Sequence, residues 1–133
     1  PESQDAIIAA GGVNPLLLLV TSGTHAAQES AAGALRNLSA QQERHRLLVA
    51  EAGGISYLIQ VLSTGRVDAQ EHAALALQSL ASLGPEYKKT IAGLGGIRPL
   101  IELAAAGGSD EARTGAAGAL QSLAGEEALQ AAI

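Results

Sequence analysis

The chain has 133 residues, sixteen of them glycine, with no cysteine, methionine, tryptophan or phenylalanine and a formal net charge of −5. Lacking cysteine, it has no disulfide framework, no thiolate metal site and no cysteine nucleophile. The acidic balance, with no basic cluster longer than Lys88-Lys89, gives no electrostatic footprint for DNA or RNA, and the longest apolar run, Leu16 to Val20, is too short to cross a bilayer.

Ser3 to Ala10 reads SQDAIIAA, a predicted short helix with Ser3 as N-cap and Gly11-Gly12 ending it in a left-handed turn. Val13-Asn14-Pro15 opens a second helix, with proline tolerated in its first turn. Leu16, Leu17, Leu19 and Val20 give that helix a wide apolar face, and Ser22-Gly23 ends it. Thr24 is then placed to cap a long third helix reaching about Ala40. The order repeats: Glu43 to Glu51 is short, Ile55 to Ser63 carries Leu58, Ile59, Val61 and Leu62, and Val67 to Leu83 is long. It repeats again, with Pro85 starting a short helix anchored by Ile91. Ile97, Pro99, Leu100, Ile101 and Leu103 mark the second helix, and roughly Ser109 to Ala124 forms the long one. Glu126 to Ile133, EEALQAAI, matches the start of a fourth short helix.

The repeat is marked twice over. The glycine pairs Gly11-Gly12, Gly53-Gly54 and Gly95-Gly96 stand forty-two residues apart. The long helices read QESAAGALRNL from Gln28, QEHAALALQSL from Gln70 and RTGAAGALQSL from Arg113. The third copy sits forty-three positions after the second, and Ala106-Gly107-Gly108-Ser109 is the natural place for the added residue. A unit of this length cannot bury its apolar face alone and stacks on its neighbours in a continuous array. The expected fold is all-α: one array with repeats over 1–40, 41–83 and 84–125 and a partial fourth over 126–133.

The segments AEAGGISYLIQVL (Ala50 to Leu62) and AALALQSLA (Ala73 to Ala81), with their counterparts AAGGVNPLLLLV, AAGALRNLS, GLGGIRPLIEL and AAGALQSLA, resemble the armadillo repeat over essentially the whole chain. The short helix before each glycine pair sets the pattern apart from the two-helix HEAT repeat. The resemblance implies a right-handed α–α superhelix whose third helices line a concave groove, used in family members to hold an extended peptide segment of a partner. In peptide-binding members an asparagine near the end of the third helix bonds the peptide main chain, a tryptophan one turn earlier packs beside it, and the position one turn earlier still is often acidic. Here those positions hold Asn37, Ser79 and Ser122; Gly33, Leu75 and Gly118; and Ser30, His72 and Gly115. That departs from the nuclear-import pattern of basic-peptide recognition and is closer to the armadillo units of junctional and ubiquitin-ligase-associated proteins.

No nucleophile elbow, phosphate loop or zinc-protease motif is present, and Arg98 stands where a dinucleotide fingerprint starting at Gly93 would need its third glycine. The reading is therefore of a non-enzymatic interaction module with no cofactor. His25, His45 and His72 lie on different helices without ligand spacing and are expected as exposed side chains rather than a metal site, as are Glu43, Arg44 and Arg46 on a solvated helix face. The expected function is binding of an extended protein segment, with Arg36, Asn37, His72, Gln78, Ser79, Gln121 and Ser122 facing it. The alternative is a structural or self-assembling scaffold with an idle groove. With Arg36 as the only fixed charge in that set, acidic or neutral segments are expected to be preferred, the more so once His72 is protonated near about pH 6. Apolar Ile7, Ile8, Leu129 and Ile133 at the two ends lead to an expectation of end-to-end self-association. No nucleic-acid or membrane partner is expected, and without a secretion signal the expected location is cytoplasmic or nuclear.

Overall fold

The computed structural model describes residues 2–9 and 11–124. The expected fourth unit, 126–133, and with it Leu129 and Ile133, lies outside the described residues. Among the described residues the chain runs α1 (Glu2–Ala9), α2 (Val13–Ser22), α3 (His25–Gln41), α4 (Glu43–Glu51), α5 (Gly54–Thr64), α6 (Val67–Ala81), α7 (Pro85–Gly93), α8 (Ile97–Ala106) and α9 (Asp110–Ala124). Short, medium and long helices thus follow one another three times. One start signal misses: α1 begins at Glu2, which puts Ser3 inside the helix rather than at its cap. Thr24 does cap α3, its hydroxyl accepting the Ala27 N–H at 3.2 Å, and Ser109 does the same for the Ala112 N–H at 3.0 Å.

Each glycine pair divides two tasks between its members. The first glycine takes a left-handed backbone, with φ of +77° at Gly11, +89° at Gly53 and +84° at Gly95. The second lets the next helix start against the end of the short one. A Cβ on Gly12 would stand 2.7 Å from Ile7 Cγ2, on Gly54 2.6 Å from Val49 Cγ1, and on Gly96 2.9 Å from Ile91 Cγ2. At the central pair this turn sets α4 and α5 at 77° to each other.

The core lies between the medium and long helices and runs unbroken through the array. Leu17, Leu35, Leu58, Leu77, Leu80 and Leu100 are fully buried in it. α6 packs side by side with α3 on one flank and α9 on the other. Buried alanines at the contact, Ala31, Ala32, Ala73, Ala74, Ala112 and Ala116, let these backbones approach closely. Leu35 and Leu77 are core as the repeat register requires, whereas Leu120, the third equivalent, is half-buried against it. The α8–α9 connection spans 107–109, one residue more than the 23–24 and 65–66 connections. There Gly108 is fitted against Val67, whose Cγ2 would lie 2.5 Å from a Cβ.

Three side chains expected in solvent are drawn in, and His72, half-buried on α6, is one of them. His45 is only 1% exposed, wedged between α1 and α4 with Nδ1 at 3.1 Å from Gln4 Oε1 and Nε2 at 2.9 Å from Asp5 Oδ1. Arg46 is half-buried and donates through its guanidinium to the Ser39 carbonyl at 3.1 Å, tying α4 back to the end of α3. α1 and α4 expose most of their length, and at this junction polar pairings take up part of the anchoring that apolar burial does elsewhere.

Candidate functional site

Three long helices lying side by side present one shared face, and the side chains at its centre come from α6. Where family members with a peptide ladder carry tryptophan, this chain has glycine on α3 and α9, and α6 fills the vacated space. The His72 ring lies over Gly33, with Nε2 3.5 Å from where a Cβ would be. The Gln78 amide abuts Gly118 at 3.0 Å by the same measure, and Leu75 abuts Gly115, one turn before the tryptophan position of α9, at 3.2 Å. The glycines are therefore sockets that seat the central helix between its neighbours.

Of the sequence-predicted residues, the structure brings Arg36 and His72 together across the α3–α6 seam, with Arg36 Nη1 at 3.2 Å from His72 Nδ1. A guanidinium only donates, so in this arrangement His72 Nδ1 must accept and the ring proton sits on Nε2. The same Arg36 nitrogen lies 3.7 Å from Glu71 Oε2. Gln78 leans on α9, Ser122 turns its hydroxyl to the Gly118 carbonyl of its own helix at 3.2 Å, and Ser79 is half-buried. Asn37 and Gln121 are exposed. The Asn37 carbonyl accepts from Gln4 Nε2 at 3.0 Å, which links the α3 end of the face to α1.

A cavity of about 360 Å³ opens on this face and draws on all three long helices: Arg36 from α3, Glu71 and Leu75 from α6, and Asp110, Glu111, Thr114 and Gly115 from α9. Sequence reasoning missed the carboxylates, and the electrostatic expectation changes with them. Arg36 is not a lone charge, since Glu71 answers it directly and Asp110 and Glu111 line the same hollow, Asp110 being ion-paired to Arg113. Three carboxylates against two guanidinium groups, Arg36 and Arg113, leave the hollow without the positive excess that a preference for acidic segments would need. Protonating His72 would set a second cation against Arg36 and push the guanidinium toward Glu71, not outward to a ligand. The acidic first turn of α9, Asp110-Glu111, was the signal that could have found this hollow. Among the described residues no group of three or more His, Asp or Glu is arranged to hold a metal ion.

The sequence profile of the Armadillo/beta-catenin-like repeat matches residues 1–40, 42–82 and 84–125. No curated protein matches the chain in sequence. Solved structures do. Two crystal structures of engineered proteins from the Northeast Structural Genomics Consortium superpose with TM-scores of 0.87 and 0.89 at 32% and 34% identity. Each match covers 98% of this chain and, respectively, 55% and 32% of the other protein. A designed armadillo repeat protein, solved in complex with the peptide (KR)4, superposes with a TM-score of 0.85 at 24% identity, covering 97% of this chain and 54% of that one.

Proposed function

The chain belongs to the armadillo/β-catenin-like repeat family, a right-handed α–α superhelix, and from that premise we propose that the shared face of α3, α6 and α9 binds an extended segment of a partner protein. The observation that carries the reading is the 360 Å³ hollow built from all three long helices. The hollow takes side chains from every long helix, running obliquely from the first turn of α9 to the later half of α3, which a spacer would not need. Exposed Asn37 supplies donor and acceptor in one side chain, suited to main-chain N–H and C=O groups of an extended segment. Glu71, Asp110 and Glu111 suit a cationic side chain on that segment, and Leu75 offers an apolar floor for its stem. The (KR)4 peptide held by the designed armadillo protein is a ligand of this charge type on the same fold.

The test compares retention of basic, neutral and acidic peptide pools by the wild type, by an Asn37→Ala, Arg36→Ala double variant and by a Glu71→Gln, Glu111→Gln double variant. Basic peptides should bind best. Removing the two carboxylates should weaken them by about two- to fivefold per charge, the range for partly exposed ion pairs. Preference for acidic peptides would overturn the charge assignment. Indifference of all three proteins to all three pools would overturn the groove itself and favour the scaffold reading.

A further inference from the structure

We propose that α1 is a proton-dependent clasp, held against α4 while His45 carries a proton on both ring nitrogens and released when it loses one. The hydrogen-bond partners dictate this. Gln4 Nε2 donates to the Asn37 carbonyl at 3.0 Å, which fixes the amide so that Oε1, an acceptor only, is the atom 3.1 Å from His45 Nδ1. On the other side of the ring, Asp5 Oδ1 lies 2.9 Å from Nε2. A neutral imidazole has one N–H and one lone pair, so it can satisfy only one of these two acceptors. The other would face a lone pair in a site where the ring is 1% exposed, and water reaches it only if α1 moves.

Among the described side chains, the other ties of α1 are the Arg44–Asp5 pair, the Gln4 bond to the Asn37 carbonyl and one packed isoleucine. α1 is an eight-residue helix on which Ile7 is 39% exposed and Ile8 is the apolar side chain packed on the core. The device is local to one junction, because forty-two residues on from His45 stands Tyr87, and forty-two on from Asp5 stands Leu47.

The charges around the ring set two limits. Arg44 reaches Asp5 Oδ1 at 2.5 Å, so one carboxylate oxygen is shared by a guanidinium and the imidazole. Besides α1, the helices packed on α4 are α3, α5 and α6. Of their charged and titratable side chains, Arg36 pairs with Glu71 and His72, Tyr57 packs on the core, His25 and Glu29 lie in the first two turns of α3, and Arg66 and Asp68 lie at the start of α6. On α4 itself Arg46 is turned to the Ser39 carbonyl. The Asp5 carboxyl is held below its usual range, chiefly by the hydrogen bond from His45 and further by the Arg44 charge. Its contribution is therefore present above the ordinary carboxylate range and is lost as pH falls through the lowered value. At the other limit the ring gives up one proton, and with it one of its two bonds to α1, since Gln4 Oε1 and Asp5 Oδ1 both need a donor. The clasp is closed between these two limits.

The experiment follows the His45 ring ¹⁵N shifts and the amide protection factors of α1 across pH by NMR on the whole chain, for the wild type, His45→Gln and Asp5→Asn. Both ring nitrogens should be protonated where α1 is protected. Protection of α1 should fall at least tenfold as His45 titrates, while amides of α6 stay protected. His45→Gln should remove the alkaline edge and Asp5→Asn the acid edge. Protection of α1 that stays flat through the His45 titration, or a singly protonated ring with α1 still docked, would overturn the proposal. The wild-type titration decides the matter alone if either variant fails to fold.

Discussion

The long helices and the short helices recur with the same spacing, yet they are anchored by different physics. α6 buries Ala69, Ala73, Ala74, Ala76, Leu77, Leu80 and Ala81, and is enclosed by α3, α9 and α5. α4 buries only His45 and Val49, and α7 only Ile91. In the long layer, burial on several sides dictates residue size, so alanine, glycine and leucine recur and the side chains vary little between units. In the short layer a single apolar anchor leaves room for unit-specific chemistry, and the first junction uses it for a charged cluster. Regular spacing of a backbone therefore does not imply regular chemistry along it.

The sharpest way to break that contrast is in the centre of the long layer. Leu77→Ala removes a fully buried side chain from the helix that both neighbouring units pack against, and should cost about 2–5 kcal/mol in chemical denaturation. A loss below about 1 kcal/mol would mean that the long helices are no more constrained than the short ones. A smaller effect is expected where the layers meet. Gly54→Ala places a methyl 2.6 Å from both the Val49 carbonyl and Val49 Cγ1, an overpacking that should cost roughly 1–3 kcal/mol and loosen α4 against α5. Gly93→Ala is the control, since nothing lies within 4 Å of its added methyl. The smallest effect falls on a helix end: Thr24→Ala removes the cap on the Ala27 N–H and should cost about 1 kcal/mol, read as faster amide exchange confined to the first turn of α3.

The fold was legible because its determinants are local and repeated. Apolar spacing marks each helix, a glycine pair marks each turn, and Thr24 announces the long helix that follows it. The extra residue at 107–109 could be placed because the glycines around it tolerate a longer connection. What was not legible depends on residues far apart in sequence. His45 sits among Arg44 and Arg46 and reads as part of a solvated face; its burial comes from α1, forty residues earlier, laying Asp5 against the ring. Arg36 and His72 could be assigned to a common face by repeat register, and the structure joins them. The Glu71, Asp110 and Glu111 side of the hollow escaped because the register argument followed the asparagine ladder toward the helix ends, whereas the hollow lies near the start of α9. Ser3 misled for a simpler reason, since a serine near a chain start looks like a cap whether the helix begins after it or before it.

The two tyrosines have an optical consequence. Tyr57 lies on α5 and Tyr87 on α7, both half-buried against the core, and there is no tryptophan to outshine them. Residues 1–40 contain neither ring, so ultraviolet emission reports on the second and third units while the first is dark. In an array whose units can open one at a time, loss of α1 to α3 would lower far-ultraviolet circular dichroism and leave tyrosine emission almost untouched. Melting curves recorded by the two signals would then separate, and the gap between them would measure how independently the first unit opens.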